Sequence, residues 1–301
     1  MFKEYYGLSK NPFDKQSLCV KDAFLSNDHK ALISGLSYLI NLRGFGIITS
    51  SPGFGKSFGL KCFTEKLDRN LHVSIYIKLS TVSVIDFYRQ LCAALGIDAP
   101  FGKAAMFRVI QERLYHLFKE KRKPVFLVLD EAQKLSTAVL NDLKIIMNYE
   151  FDSLNCFTIA LVGETHLNST LEKPPHEALR QRIVFNYNFV GLSGEETEAY
   201  ILHKLQIAGA PASILGEGTL TAITGYARGC PRLIDNLMIQ VLISYMGWML
   251  LWRNRQTRRL QVPVRVSSWG FKSLQQHQIM IIRTLYQSAT GSDLSYYWVI
   301  N

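Results

Sequence analysis

The chain is poor in cysteine, in long apolar runs and in charge. Its five cysteines (Cys19, Cys62, Cys92, Cys156, Cys230) are scattered through 301 residues, and no two stand at a C-x-x-C spacing. With an odd count and no opening that reads as a signal peptide, reduced thiols in a cytoplasm are expected, each a small buried residue. The most apolar stretch, Leu237–Trp252, is 16 residues long and is broken by Gln240 and Ser244. A bilayer needs about 20, so no membrane partner is expected. Charged residues make up only 19% against 48% hydrophobic ones, a globular balance that excludes a disordered chain. The length suits one large or two modest domains. The net charge of +10 is uneven: residues 246–301 hold seven basic residues against Asp293 alone, a net +6, leaving +4 for residues 1–245. That body is not the composition of a strongly basic nucleic-acid binder.

Within this composition one loop stands out. Ser50-Ser51-Pro52-Gly53-Phe54-Gly55-Lys56-Ser57-Phe58 follows a strand-like run, Gly46–Thr49, and leads into a helix-like run, Phe58–Phe63. A phosphate-binding loop needs this context, because backbone N–H groups at a helix N-terminus and the helix dipole both favour negative charge. Lys56 is expected to reach the β- and γ-phosphates of ATP, and the Ser57 hydroxyl to bind Mg²⁺. Ser50 occupies the place of the usual first glycine, which reads as tuned or weakened binding. A second element, Val125–Leu129, is an unbroken apolar run ending in Asp130-Glu131. Buried parallel strands read this way. Asp130 is expected to hold Mg²⁺ through water and Glu131 to polarise the attacking water. The competing reading is a plain α/β domain with a glycine-rich turn.

Further runs widen the pattern. Phe2–Leu8 with Asn11-Pro12-Phe13, Gly44–Ile48, Leu129–Gln133, Met147–Tyr149 with Asp152-Ser153, Leu161–Glu164, Leu179–Ile183 and Gly229–Leu237 together resemble the ExeA/GspA-type AAA+ ATPases over residues 1 to about 243. Within that family the chain looks most similar to the short ATPases encoded beside transposases, in role like TnsC, TniB and IstB. The secretion-type members carry a membrane anchor, which the short apolar run does not supply. The resemblance implies an α/β fold: an AAA+ P-loop core with a parallel five-stranded sheet (residues 1–192) followed by a small helical lid (193–245). The residues support this independently. Five β-like runs (including Val73–Ile77, Thr158–Val162 and Val184–Val190) alternate with helical patterns, as a parallel sheet requires. Ala105–Lys119 places Met106, Val109, Ile110, Leu114, Leu117 and Phe118 on one core-facing stripe. Gly194–Ala208, Gly218–Ala227 and Pro231–Ser244 read as three short lid helices.

The resemblance also implies site residues and partners. Arg180 and Arg182 match arginine-finger positions, which stabilise phosphoryl charge in a neighbouring subunit's site; a solvated helix end is the bland alternative. Arg232 matches the lid arginine that senses the γ-phosphate, against an ordinary first helical turn after proline. Glu164 or Thr165 stands at the sensor position of the fourth strand, and neither is the usual Asn. A homo-oligomeric ring or filament on DNA, contacting phosphates, is implied, with a transposase as partner. The basic run Lys119–Lys123 reads as a helix C-terminus complementing its dipole rather than a DNA surface.

The residues after about Tyr245 look foreign. One permitted back-translation of Trp252–Val264 resembles the D and anticodon arms of a leucine tRNA, and Gly270–Ser273 resembles a T arm. Residues 246–301 are therefore expected to be an aberrant or disordered basic tail, read through a tRNA gene; the alternative is a functional basic extension that binds nucleic acid. Three functional readings follow: a DNA-dependent regulator of transposition, a secretion-assembly ATPase, and a nucleotide-binding remnant that does not hydrolyse.

Overall fold

The computed structural model describes residues 2–14, 19–80, 83–150, 153–210, 214–215 and 218–257. In chain order the elements are α1 (Phe2–Tyr5), α2 (Asn27–Leu42), β1 (Phe45–Thr49), α3 (Lys56–Lys66), β2 (Val73–Lys78), α4 (Val84–Ala94), α5 (Lys103–Lys119), β3 (Val125–Asp130), α6 (Thr137–Ile146), β4 (Phe157–Gly163), α7 (His166–Leu171), α8 (Glu177–Arg180), β5 (Ile183–Asn188), α9 (Gly194–Ile207), α10 (Thr219–Ala227) and α11 (Pro231–Thr257). They form two units, Asn27–Val190, and Met1–Ser26 together with the chain from Gly191 onward.

The first unit is built on a five-stranded sheet in the order β2-β3-β4-β1-β5, with every pairing parallel. β1, β3 and β4 are buried at every residue, whereas the edge strands β2 and β5 alternate in exposure. The apolar runs of the three central strands have that cause: a strand covered on both faces has no solvent side. One face, with Ile47, Leu127, Leu129, Ile159 and Leu161, packs against Phe87, Leu91, Ile110 and Leu143 of α4, α5 and α6. The other, with Ile48, Phe126, Val128 and Val162, packs against Leu32, Leu36 and Leu39 of α2 and Leu60 and Phe63 of α3. On α5 the expected stripe holds: Met106, Ile110, Leu114 and Leu117 are buried, and Val109 and Phe118 pack beside them. Serine caps fix two of these helices. Ser83 accepts the Asp86 N–H at the start of α4, and Ser136 the Val139 N–H at the start of α6, each satisfying a donor the helix leaves open. The basic run after α5 lies at its C-terminus, where Lys119 pairs with Glu150 at 3.3 Å.

The second unit is helical. Its core joins Leu8 and Phe13 to Ile201 and Leu205 of α9, Ile223 of α10, and Ile234, Leu237 and Met238 of α11. α9 opens with a capping box between Ser193 and Glu196, which satisfies two open backbone donors reciprocally. Lys204 is 7% exposed. Its ammonium lies 2.8 Å from Asp235 Oδ1, the oxygen that also accepts the Tyr200 hydroxyl at 2.9 Å, and it stands over the rings of Phe13 and Tyr200. Burial lowers the Lys204 ammonium below its usual pKa, and Asp235 opposes that shift.

Two boundaries differ from the sequence reading. The residues before Asn27 group with the helical unit, not with the α/β unit, because Leu8 and Phe13 find their apolar partners there. The last lid helix does not stop near Tyr245 but runs to Thr257, since no proline or glycine pair interrupts the pattern at that point. Residues 258–301, most of the expected tail, lie outside the described residues.

Gly229 makes a close backbone approach within the helical unit. Its φ is +75°, and a Cβ there would stand 2.3 Å from the Leu192 carbonyl oxygen, while its own carbonyl accepts the Leu192 N–H at 2.9 Å. Gly7, also left-handed at +65°, has open space around it. Gly7→Ala is expected to cost the ~1–2 kcal/mol of a left-handed alanine. Gly229→Ala is expected to cost about 3 kcal/mol or more, because a backbone carbonyl must also move. Urea unfolding followed by circular dichroism measures both; equal costs would disprove the close approach.

Candidate functional site

The loop from Ser50 to Gly55 leaves the C-terminal end of β1 and enters α3, whose first residue is Lys56. Gly53 and Gly55 have φ of +92° and +96°, a conformation only glycine adopts at little cost. At Gly55 a Cβ would also come within 3.2 Å of His29 Nε2. Phe58 meets the same imidazole edge-on, with ring centroids 6.2 Å apart, and Phe54 packs against the α2–α3 face. Pro52 is exposed on the loop. The loop is thus seated on the N-terminal turn of α2, with its backbone bare at the mouth of α3.

Ser50 is fully buried, and Lys56 is turned onto it. The ammonium donates to the Ser50 carbonyl at 2.9 Å and to its hydroxyl at 2.7 Å, while that hydroxyl donates to the Ser51 carbonyl at 2.7 Å. A serine in place of the first glycine therefore gives the lysine an extra acceptor.

Asp130 ends β3 and is 4% exposed. Oδ1 accepts the Glu131 N–H at 2.9 Å. Oδ2 accepts the Ser57 hydroxyl at 3.2 Å and also the Tyr76 hydroxyl. Burial, then the nearby Asp130 carboxylate, raises the Tyr76 phenol above its usual pKa, so it stays protonated and donates. Ser57 is exposed and Asp130 lies directly behind it. Among the described residues no group of three or more His, Cys, Asp or Glu is placed to hold a metal. One hydroxyl and one carboxylate nonetheless fit a hard, six-coordinate Mg²⁺ completed by phosphate oxygens and water, and the left-handed glycine loop beside them fits a polyphosphate.

Glu131 adopts a left-handed backbone, φ +63° and ψ +34°, a strain of about 1–3 kcal/mol for a non-glycine residue. Its Oε2 accepts from Gln133 Nε2 at 3.1 Å and lies 3.5 Å from the Lys134 ammonium. Gln133 bridges onward: its Oε1 accepts the Glu164 N–H at 3.2 Å. Glu164 and Thr165 follow the end of β4, with Glu164 near His166 and Thr165 exposed at the start of α7. The amide that reaches the base of the loop is instead Asn168 of α7, which donates to Thr49 Oγ1 at 3.0 Å; Thr49 in turn donates to Asn188 at 3.1 Å. Sequence reading assigned no role to Tyr76, Gln133 or Asn168. Of these only Gln133, beside the acid pair, had a positional signal.

The arginines stand elsewhere. Arg180 ends α8 and donates to the Glu172 carbonyl at 3.0 Å; Arg182 donates to the Lys144 carbonyl at 2.9 Å and to Asn148 Oδ1 at 2.5 Å. Both precede β5, whose first residue, Ile183, pairs with Phe45 at the start of β1. The loop leaves the other end of β1, ~13 Å along the strand. Arg232 belongs to the helical unit, exposed in the first turn of α11.

The sheet order, the glycine loop entering α3 and the acid pair closing β3 define the AAA+ P-loop NTPase fold, and residues 40–171 match the family model described as an AAA domain. The chain is 29% identical over 247 residues to general secretion pathway protein A of Aeromonas hydrophila, covering 81% of this chain and 45% of that protein. It thus spans less than half the length of that relative. Cdc6p from Pyrobaculum aerophilum shares the fold with a TM-score of 0.59 at 14% identity, over 80% of this chain and 67% of its own. Aeropyrum pernix ORC1, solved in complex with DNA, matches with the same TM-score at 14% identity, over 91% of this chain and 69% of its own.

Because the Ser50 hydroxyl competes for the Lys56 ammonium, Ser50→Gly is expected to tighten binding of a fluorescent ATP analogue by about three- to tenfold, the worth of roughly one hydrogen bond to a charged group. Unchanged or weaker affinity would show that the hydroxyl does not hold the lysine back.

Proposed function

We propose that this chain binds and hydrolyses ATP with Mg²⁺ in the cytoplasm, and that ATP-dependent assembly on DNA couples it to recruitment of a transposase. The observation that carries the nucleotide reading is the convergence of Lys56, Ser57 and Asp130 at the mouth of α3. The loop N–H groups and Lys56 bind the polyphosphate. Ser57 and Asp130 hold Mg²⁺, which would offset charge on the β- and γ-phosphate oxygens. Glu131 orients the attacking water and takes its proton, once its carboxylate leaves Gln133 and Lys134.

Arg180 and Arg182 serve a neighbouring subunit in this reading. Their place at the opposite end of the sheet from the loop supports it, since they approach no phosphate bound by their own chain. Arg232 acts as the γ-phosphate-sensing arginine of the lid. The transposition role rests on the sequence resemblance to transposon-encoded ATPases, together with the DNA complex of the ORC1 neighbour. A second reading, assembly of a secretion apparatus, is favoured by the Aeromonas relative. Gel-shift titration with duplex DNA, with and without ATP, separates them: ATP-dependent, salt-sensitive DNA binding supports the first, and its absence the second.

Lys56→Ala is expected to weaken ATP-analogue binding roughly 10- to 100-fold by removing a charged donor. Glu131→Gln is expected to bind normally and to turn over about 10²- to 10⁴-fold more slowly; normal hydrolysis by this variant would remove Glu131 from the mechanism. Mixing Lys56→Ala subunits with subunits lacking both Arg180 and Arg182 is expected to restore part of the hydrolysis, because mixed interfaces pair an intact loop with intact arginines. No rescue at any ratio would assign the arginines a role within their own chain.

A further inference from the structure

Asp130 accepts from four donors, one on its backbone carbonyl and three on its carboxylate. Its backbone is pinned to the edge strand by the Leu79 N–H, which donates to its carbonyl at 2.9 Å. Its Oδ1 takes the Glu131 N–H, and its Oδ2 takes both Ser57 and Tyr76. Tyr76 sits on β2 in register with Val128, two residues before Asp130, so it reaches the carboxylate diagonally across the strand pair, within range of a long aromatic side chain. Its ring is half-exposed while its hydroxyl turns inward. The arrangement changes character when Ser57 serves a cation. Oδ2 then loses the serine hydroxyl, and Tyr76 becomes its remaining protein donor among the hydrogen bonds described here, opposite the Glu131 N–H on Oδ1.

We propose that Tyr76 is a positioning residue for the cation site: its hydroxyl, reaching in from the edge strand, fixes the plane of the Asp130 carboxylate so that the acid stays aimed at Mg²⁺ and its waters when Ser57 turns away. The inference rests on the Mg–ATP reading of the same site. Outer donors of this kind fix ligand orientation, and removing one commonly lowers metal affinity by about 10- to 100-fold. Tyr76 does not touch nucleotide in this scheme, so its contribution is confined to the metal-dependent part of binding.

The test is titration of a fluorescent ATP analogue into the full chain over a Mg²⁺ series and in excess EDTA. Tyr76→Phe, which keeps the ring, is expected to raise the Mg²⁺ concentration for half-maximal tightening about tenfold or more, with affinity in EDTA unchanged. Tyr76→Leu is expected to behave as Tyr76→Phe does, because the hydroxyl and not the ring acts. In an Asp130→Asn background the Tyr76→Phe shift is expected to vanish, since the effect passes through that carboxylate. An unaltered or lowered Mg²⁺ requirement overturns the proposal. So does an equal loss in EDTA, or a Tyr76→Leu defect much larger than that of Tyr76→Phe; either would make Tyr76 a packing residue. If the unaltered protein shows Mg²⁺-independent binding or none, the reading of the site itself fails, an outcome distinct from a wild-type Mg²⁺ response that Tyr76→Phe leaves in place.

Discussion

Covering both faces of β1, β3 and β4 is the constraint from which the rest of the α/β unit follows. Three strands with no solvent side need a helical layer over each face, as parallel strands joined by helices supply; here α2 and α3 cover one face and α4, α5 and α6 the other. All three then end at one edge, and side chains excluded from the strands by their apolarity collect there: Ser50 after β1, Asp130 closing β3, Glu164 after β4. In open α/β sheets ligands bind outside the carboxyl ends of the strands, where strand order reverses.

At this edge the balance between holding and releasing charged groups is fine. Lys56 is satisfied by Ser50, and Asp130 by Ser57, Tyr76 and a backbone N–H. An unsatisfied buried charge costs several kcal/mol, so a site without ligand needs such internal partners. Each partner also has to be displaced or shared when a ligand arrives. The serine that replaces the first glycine shifts this balance toward the empty site. Glu131 is held off in a similar way, by Gln133 and Lys134 on its own turn.

Much of this was legible in the chain because it is local. The loop lies between a strand run and a helix run, the acid pair closes an apolar run, and the α5 stripe repeats at helical spacing; each is set by residues within a few positions of one another. What could not be read depends on register and long-range packing. Tyr76 meets Asp130 only because β2 and β3 pair with Tyr76 opposite Val128, and a shift of one residue would turn its ring to the other face. Asn168 reaches Thr49 only because α7 folds back over the end of β1. The hydrophobic pattern of the last helix gives no stop near Tyr245, and the helix continues past that point to at least Thr257: a loss of family resemblance is not a loss of structure.

The helical unit is built from two separated stretches of chain, which bears on how the protein is made. Leu8 and Phe13 leave the ribosome before the helices that bury them, which begin only at Gly194, after the whole of Asn27–Val190. At elongation speeds of about 5–20 residues per second that delay is about ten to thirty seconds, ample time for a sheet domain to fold. The opening segment must therefore wait, apolar and without its partners, while a separate domain matures behind it. Nascent-chain chaperones would meet Phe13 throughout that interval, and the order of synthesis, more than the strength of any contact, sets when the helical unit can close.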